Sequence, residues 1–335
     1  MRTFATPAVL LLSLTLASCA SPGTPAAKAS PAAAPEAEIK TEPLAPLDHA
    51  PLLRGKAATY LTPDEPILGI EINGDSRAYP LRILDWHAVS NDTVGRMPVA
   101  LAWCRPCGSA ALYRTDTPRG TLTLAATGRF RDADQLLADR QTGTVWKQLT
   151  GVPVEGALAG SGIELQLLPV VLTSWGNWLG EHPDTRVLSL ETGFKREYPT
   201  GGRPADDPQA SSIYGLVVGG ATKAYPVDRL AQERVVNDEL AGRPVVLVSE
   251  PGADGKNRTI RAYQRGDRTF ASFERAFLGA FFVIDQDGRP WRVDEEALTT
   301  PDGKRLPRLP GRLSYGSGWF ASYPRTLTYG AASRP

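Results

Sequence analysis

ILGIEINGDSRAYPLRILDWHAVSND, residues 67–92, returns as IYGLVVGGATKAYPVDRLAQERVVND at residues 213–238. The register runs on without a gap to Trp103 and Ser249 at an offset of 146 (213 − 67), and thirteen of the thirty-seven aligned residues are identical. Unrelated stretches would share about two, so the reading is an internal duplication. Ile67-Leu68-Gly69-Ile70-Glu71-Ile72 runs into Asn73-Gly74 and back through Ser76-Arg77-Ala78-Tyr79, the pattern of a hairpin, and its counterpart turns at Gly219-Gly220. Leu81, Leu84 and Ala88 lie at helical spacing and predict a short helix carrying Trp86 and His87. Pro98–Trp103, Ser109–Tyr113 and Thr121–Ala125 read as strands. Further on, Gln141, Gly143 and Trp146 answer to Gln286, Gly288 and Trp291, while Trp178 and Pro183 answer to Trp319 and Pro324. The expected fold is mainly β, α+β with short helices, as two tandem homologous β-rich domains.

Residues 1–19, MRTFATPAVLLLSLTLASC, have a basic start, an apolar run too short to cross a bilayer, and small residues before a cysteine. Leu16-Ala17-Ser18-Cys19 resembles the bacterial lipobox, which implies lipidation at Cys19. Ala20 rather than aspartate follows, and the same resemblance implies sorting to the outer membrane, facing the periplasm. Residues 20–51 are rich in Ala and Pro, lack apolar periodicity and read as a tether in which His49 is solvated. The folded body then divides into 52–204 and 205–330, following the duplication.

The 37 basic residues balance 36 acidic ones, with no basic run, which argues against a nucleic-acid partner. The expected partner is the membrane, reached through the lipid; no protein partner is assigned. No phosphate-binding Gly-Lys-Ser/Thr loop, Gly-x-Ser-x-Gly elbow or His-Glu-x-x-His helix is present. Met97 is the only methionine besides Met1, which excludes a Met-rich copper store.

The positions at which the copies differ carry the candidate chemistry. His87 aligns with Glu233 and Cys104 with Glu250, while Cys107 has no thiol counterpart. Trp103-Cys104-Arg105-Pro106-Cys107-Gly108 leaves three readings open. A thioredoxin-like redox pair would use Cys104 as nucleophile and Cys107 as resolving thiol. A metal knuckle at a hairpin tip would need further ligands: His87 first, His182 second, with Asp85 giving an oxygen or orienting the imidazole. A short structural disulfide is the third. Arg105, between the two cysteines, favours thiolates in either of the first two readings. The preferred reading binds a soft transition metal, Zn or Cu, through Cys104, Cys107 and His87. A periplasmic thiol:disulfide oxidoreductase and a non-catalytic binding protein are the alternatives, and whether the chain is an enzyme stays open. Asn91-Asp92 recur as Asn237-Asp238 and read as hydrogen-bonded corners, Trp146 and Trp291 as core, Gln148 as a surface residue, and the His182-Pro183 step as a helix cap.

Tyr79-Pro80-Leu81, Trp86-His87, Asn91-Asp92, Trp103-Cys104 with Cys107, Asp139-Arg140-Gln141-Thr142-Gly143 leading to Trp146, and His182-Pro183 together resemble a bacterial envelope family of unknown function, DUF3179. The likeness spans roughly residues 67–190. It implies the fold and the place of the site, and no substrate. Members of that family carry proline directly after the first cysteine, whereas here Arg105 intervenes.

Overall fold

Asn73 and Gly74 both take positive φ, 51° and 75°, and so do Gly219 and Gly220, 58° and 80°. Consecutive left-handed residues make the tight turn that matches strand twist, so both expected hairpins close where the sequence places them. The computed structural model describes residues 1, 38–199, 212–251, 258–275 and 280–331. The signal segment with Cys19, most of the expected tether, the 204/205 boundary and the Gly252–Gly255 turn lie outside the described residues.

The protein is mainly β, with four short α-helices among the described residues. In the first half, strand Pro66–Ile72 pairs with Asp75–Pro80, helix α1 (Leu81–His87) follows, and strands Val89–Val94, Met97–Cys104 and Ser109–Arg114 form a meander. Helix α2 (Trp175–Glu181) closes this half, with Ser174 Oγ accepting from Asn177 N at its start. The same order returns as strands Ser212–Val218 and Ala221–Pro226, helix α3 (Val227–Glu233), strands Val235–Leu240, Arg243–Pro251 and Arg258–Gln264, and later helix α4 (Gly316–Ser322). α1 ends on Ala88 with φ 57° and α3 on Arg234 with φ 61°, the same left-handed stop at the same register.

The shared residues are scaffold. Gly69 lies under the Trp178 ring, where a Cβ would stand 2.5 Å from ring carbons, and Gly215 lies likewise under Trp319. Asn91 clamps a passing strand through both backbone groups of Leu124, each at 2.9 Å, and Asn237 does the same to Phe270 at 2.9 and 2.7 Å. Trp146 and Trp291 are buried, each donating its indole N–H to an aspartate, Asp139 or Asp285, at 2.9 Å.

Two expectations change. Residues 38–51 were placed in a tether, yet Ile39–Lys40 pairs with strand Leu124–Arg131, beside Glu38 ion pairs to Arg129 and Arg131, and Leu47–Asp48 pairs with Val89–Val94, where Leu47 is buried. His49 is exposed, as read. Gln148 was read as a surface residue but is fully buried, donating to Ser109 and accepting from Gln135 Nε2 at 2.8 Å.

Ala37–Pro335 forms one compact unit, and its halves are clasped reciprocally. Tyr315 N, at the start of α4, donates to Cys107 O in the first half at 3.0 Å. Asn177 Nδ2, on α2, donates to Pro251 O in the second at 3.2 Å. Leu149 packs with Ile213, Ala224 and Trp319 between them. Among the described residues no helix is long and apolar enough to cross a membrane.

Candidate functional site

Cys104 pairs with Ser109 across the meander, so both cysteines lie on a β-hairpin tip and no helix starts there. They are joined by a disulfide with Cα atoms 5.2 Å apart, and both are buried, at 0% and 6% exposure. A sulfur in a disulfide has no thiolate to offer a cation. Burial also keeps a partner's thiolate from the in-line approach that exchange requires.

His87 is engaged elsewhere. Its Nδ1 lies 2.8 Å from Ala45 O, and because a carbonyl only accepts, Nδ1 carries the proton. Nε2 then accepts from Tyr198 OH at 2.6 Å. Both nitrogens are in use, and burial lowers the imidazole pKa, keeping the ring neutral. Asp85, expected to orient that imidazole, accepts from Trp103 Nε1 at 2.8 Å. In this structure the sulfurs of the expected set Cys104, Cys107 and His87 are engaged in a covalent pair, and the imidazole in hydrogen bonds to Ala45 and Tyr198. Beside the hairpin tip lies a cavity of about 320 Å³ walled by Leu84, Asp85, Trp103, Arg105 and Phe130.

The second ligand candidate, His182, stands in a different constellation. α2 ends there, its backbone N–H capping onto Trp178 O at 2.7 Å as expected, while the ring stacks on Trp178 with centroids 3.9 Å apart. Nδ1 is 2.8 Å from Glu71 Oε2 on strand Pro66–Ile72, so Nδ1 donates to the carboxylate and the ring is oriented with Nε2 turned away from it. That Nε2 is buried and has no hydrogen-bond partner. The neighbouring Glu181 has a buried, unpartnered Oε1, and Glu295 comes from the second half; ligand atoms of the three lie within 4.8 Å of one another.

Arg261 holds these carboxylates. It donates from Nη2 to Glu181 Oε2 at 2.7 Å, from Nε to Glu295 Oε1 at 2.7 Å and from Nη1 to Glu250 Oε1 at 2.6 Å. Arg308 Nη1 also donates to Glu295 Oε2. Burial pushes the Glu181 carboxyl up to about 7 and raises that of Glu250. Burial opposes ionisation of Glu295 as well, but Arg261 and Arg308 together hold it down at about 2. Four acidic side chains, including Glu71, thus surround two guanidinium groups and the His182 ring, an acid-rich setting for a cation.

Glu250 matters doubly. It sits opposite Thr259 at the end of its hairpin, the register that Cys104 holds opposite Ser109. The second half thus places a buried carboxyl where the first places a disulfide. The legible signal was Arg261, a charge inside the apolar strand Thr259-Ile260-Arg261-Ala262-Tyr263, which demands buried partners.

A family model described as a protein of unknown function, DUF3179, matches residues 46–326 and so covers both halves. The chain belongs to that family. No curated protein and no solved structure matches it.

Proposed function

We propose that this chain is an envelope lipoprotein, anchored through Cys19, that holds a divalent transition-metal ion, Zn²⁺ before others, through Glu181, His182 and Glu295. The observation that carries the reading is the buried His182 Nε2, unpartnered beside the unpartnered Glu181 Oε1, on a ring whose other nitrogen is already tied to a carboxylate. A buried polar atom without a partner costs roughly 1–3 kcal/mol, and a bound cation removes that penalty for both atoms. Imidazole and carboxylate suit Zn²⁺, whereas Cu(I) prefers sulfur, which the disulfide withholds. Ligand atoms on one tetrahedral zinc stand about 3.4 Å apart, so atoms within 4.8 Å need only a small inward movement. Three protein ligands leave a coordination position for water or an incoming group. No reaction is assigned.

The test is Zn²⁺ titration of metal-stripped protein by calorimetry, with metal content by mass spectrometry. One ion per chain is expected, lost in His182→Gln and retained in a Cys104→Ser/Cys107→Ser double variant. Retention in the first and loss in the second would return the site to the hairpin tip.

A further inference from the structure

A cavity of about 370 Å³ opens onto the cluster and is walled by Glu71, Asp184, Asp294 and Glu296 as well as by Glu181, His182 and Glu295 themselves. Six carboxylates in this wall face two guanidinium groups, Arg292 and Arg305, for a formal charge of 2 − 6 = −4. With Arg261, Arg308 and Glu250 behind the wall included, acidic side chains still outnumber guanidinium groups by seven to four. The rim is in contact with water: Asp184 is exposed, and the Glu296 and Asp294 side chains are 44% and 31% exposed. A cleft of one sign with low-dielectric walls concentrates counter-ions and raises their on-rate by roughly 10- to 1,000-fold at low salt.

The ligands are also held in place independently of any ion. Arg261 and Arg308 already tie Glu181 and Glu295, and Glu71 ties His182. In a structural zinc site the ion supplies the folding energy and the ligands are unplaced without it. Here the ligand set stands preformed at the end of an acidic passage.

Resting on the reading above, we infer that the ion at Glu181, His182 and Glu295 is exchangeable: it enters and leaves through the acidic vestibule while the fold stays intact. The vestibule carboxylates act as steering groups and do not coordinate. Neutralising them therefore slows capture and leaves escape unchanged, since escape is set by the bonds to the ligands.

The experiment is stopped-flow mixing of the metal-stripped full chain with Co²⁺, followed by its visible absorption, with release measured by chelator challenge. Asp184→Asn/Glu296→Gln is expected to lower the association rate on the order of tenfold at low ionic strength, flatten its salt dependence and leave the dissociation rate within twofold. Circular dichroism of the stripped wild type is expected to match that of the loaded protein. An association rate and salt slope unchanged in the double variant, or unfolding on metal removal, overturns the inference while leaving the site itself standing. Undiminished Co²⁺ binding in His182→Gln overturns the site and, with it, the inference.

Discussion

Replacing Arg261 with methionine tests whether the cluster is held as described. The guanidinium, 1% exposed, is the common partner of Glu181, Glu250 and Glu295 at 2.6–2.7 Å. Methionine fills similar space without charge, which leaves three buried carboxylates with only Arg308 for compensation. Removing one partner from a buried ion network costs about 3–5 kcal/mol, because the charges left behind stay out of water. For a chain of this size such a loss lowers the melting temperature by roughly 5–15 °C. The assay is urea denaturation at pH 7 of metal-stripped wild type and Arg261→Met, repeated in a Glu250→Gln background. Removing one of the stranded carboxylates should recover about 1–2 kcal/mol of the loss, a coupling that a packing defect would not show. Stability of Arg261→Met within 1 kcal/mol of wild type, or additive effects of the two substitutions, would refute the account of the cluster as a charge-compensated network.

Three further outcomes follow from other parts of the molecule. Burial raises the Asp134 carboxyl from 3.8 to about 7, so its contribution to stability is fully present below about pH 4 and is lost as pH rises through 7; Asp134→Asn should match wild type near pH 4 and exceed it above pH 7 by on the order of 4 kcal/mol in denaturant titrations. A pH-independent difference would contradict this. The Cys104–Cys107 loop closes so few residues that Cys104→Ser/Cys107→Ser should cost about 2 kcal/mol in denaturation midpoints. Calorimetry of Glu71→Ala, which frees the His182 ring, should show Zn²⁺ affinity lower by roughly 10- to 100-fold, and unchanged affinity would separate Glu71 from the site.

The fold was legible where backbone chemistry is local. Asn73-Gly74 and Gly219-Gly220 could hardly be anything but tight turns, and the gapless register carried the strands and short helices with them. Asn91-Asp92 and Trp146 were read as structural because they recur, and their partners agree. The site was legible in part. His182 was named, but as a secondary ligand to cysteines, since nothing in the chain order shows that α2 ends against residues 250, 261 and 295. Glu250 and Glu295 are ordinary acids in sequence, and only burial beside Arg261 makes them unusual. His87 drew notice as a lone imidazole aligned with Glu233, and sequence order could not show that Ala45 and Tyr198 engage both its nitrogens. The segment 38–51 misled through composition, as its prolines masked the few apolar residues that dock it.

The reciprocal clasp, with Tyr315 donating to Cys107 and Asn177 to Pro251, has a bearing on how the chain tolerates rearrangement. Each half donates one hydrogen bond to a strand end of the other, so the two halves are matched as partners. Replacing the second half with a copy of the first would leave Glu181 and His182 without Arg261 and Glu295, and the converse exchange would strand that arginine and glutamate.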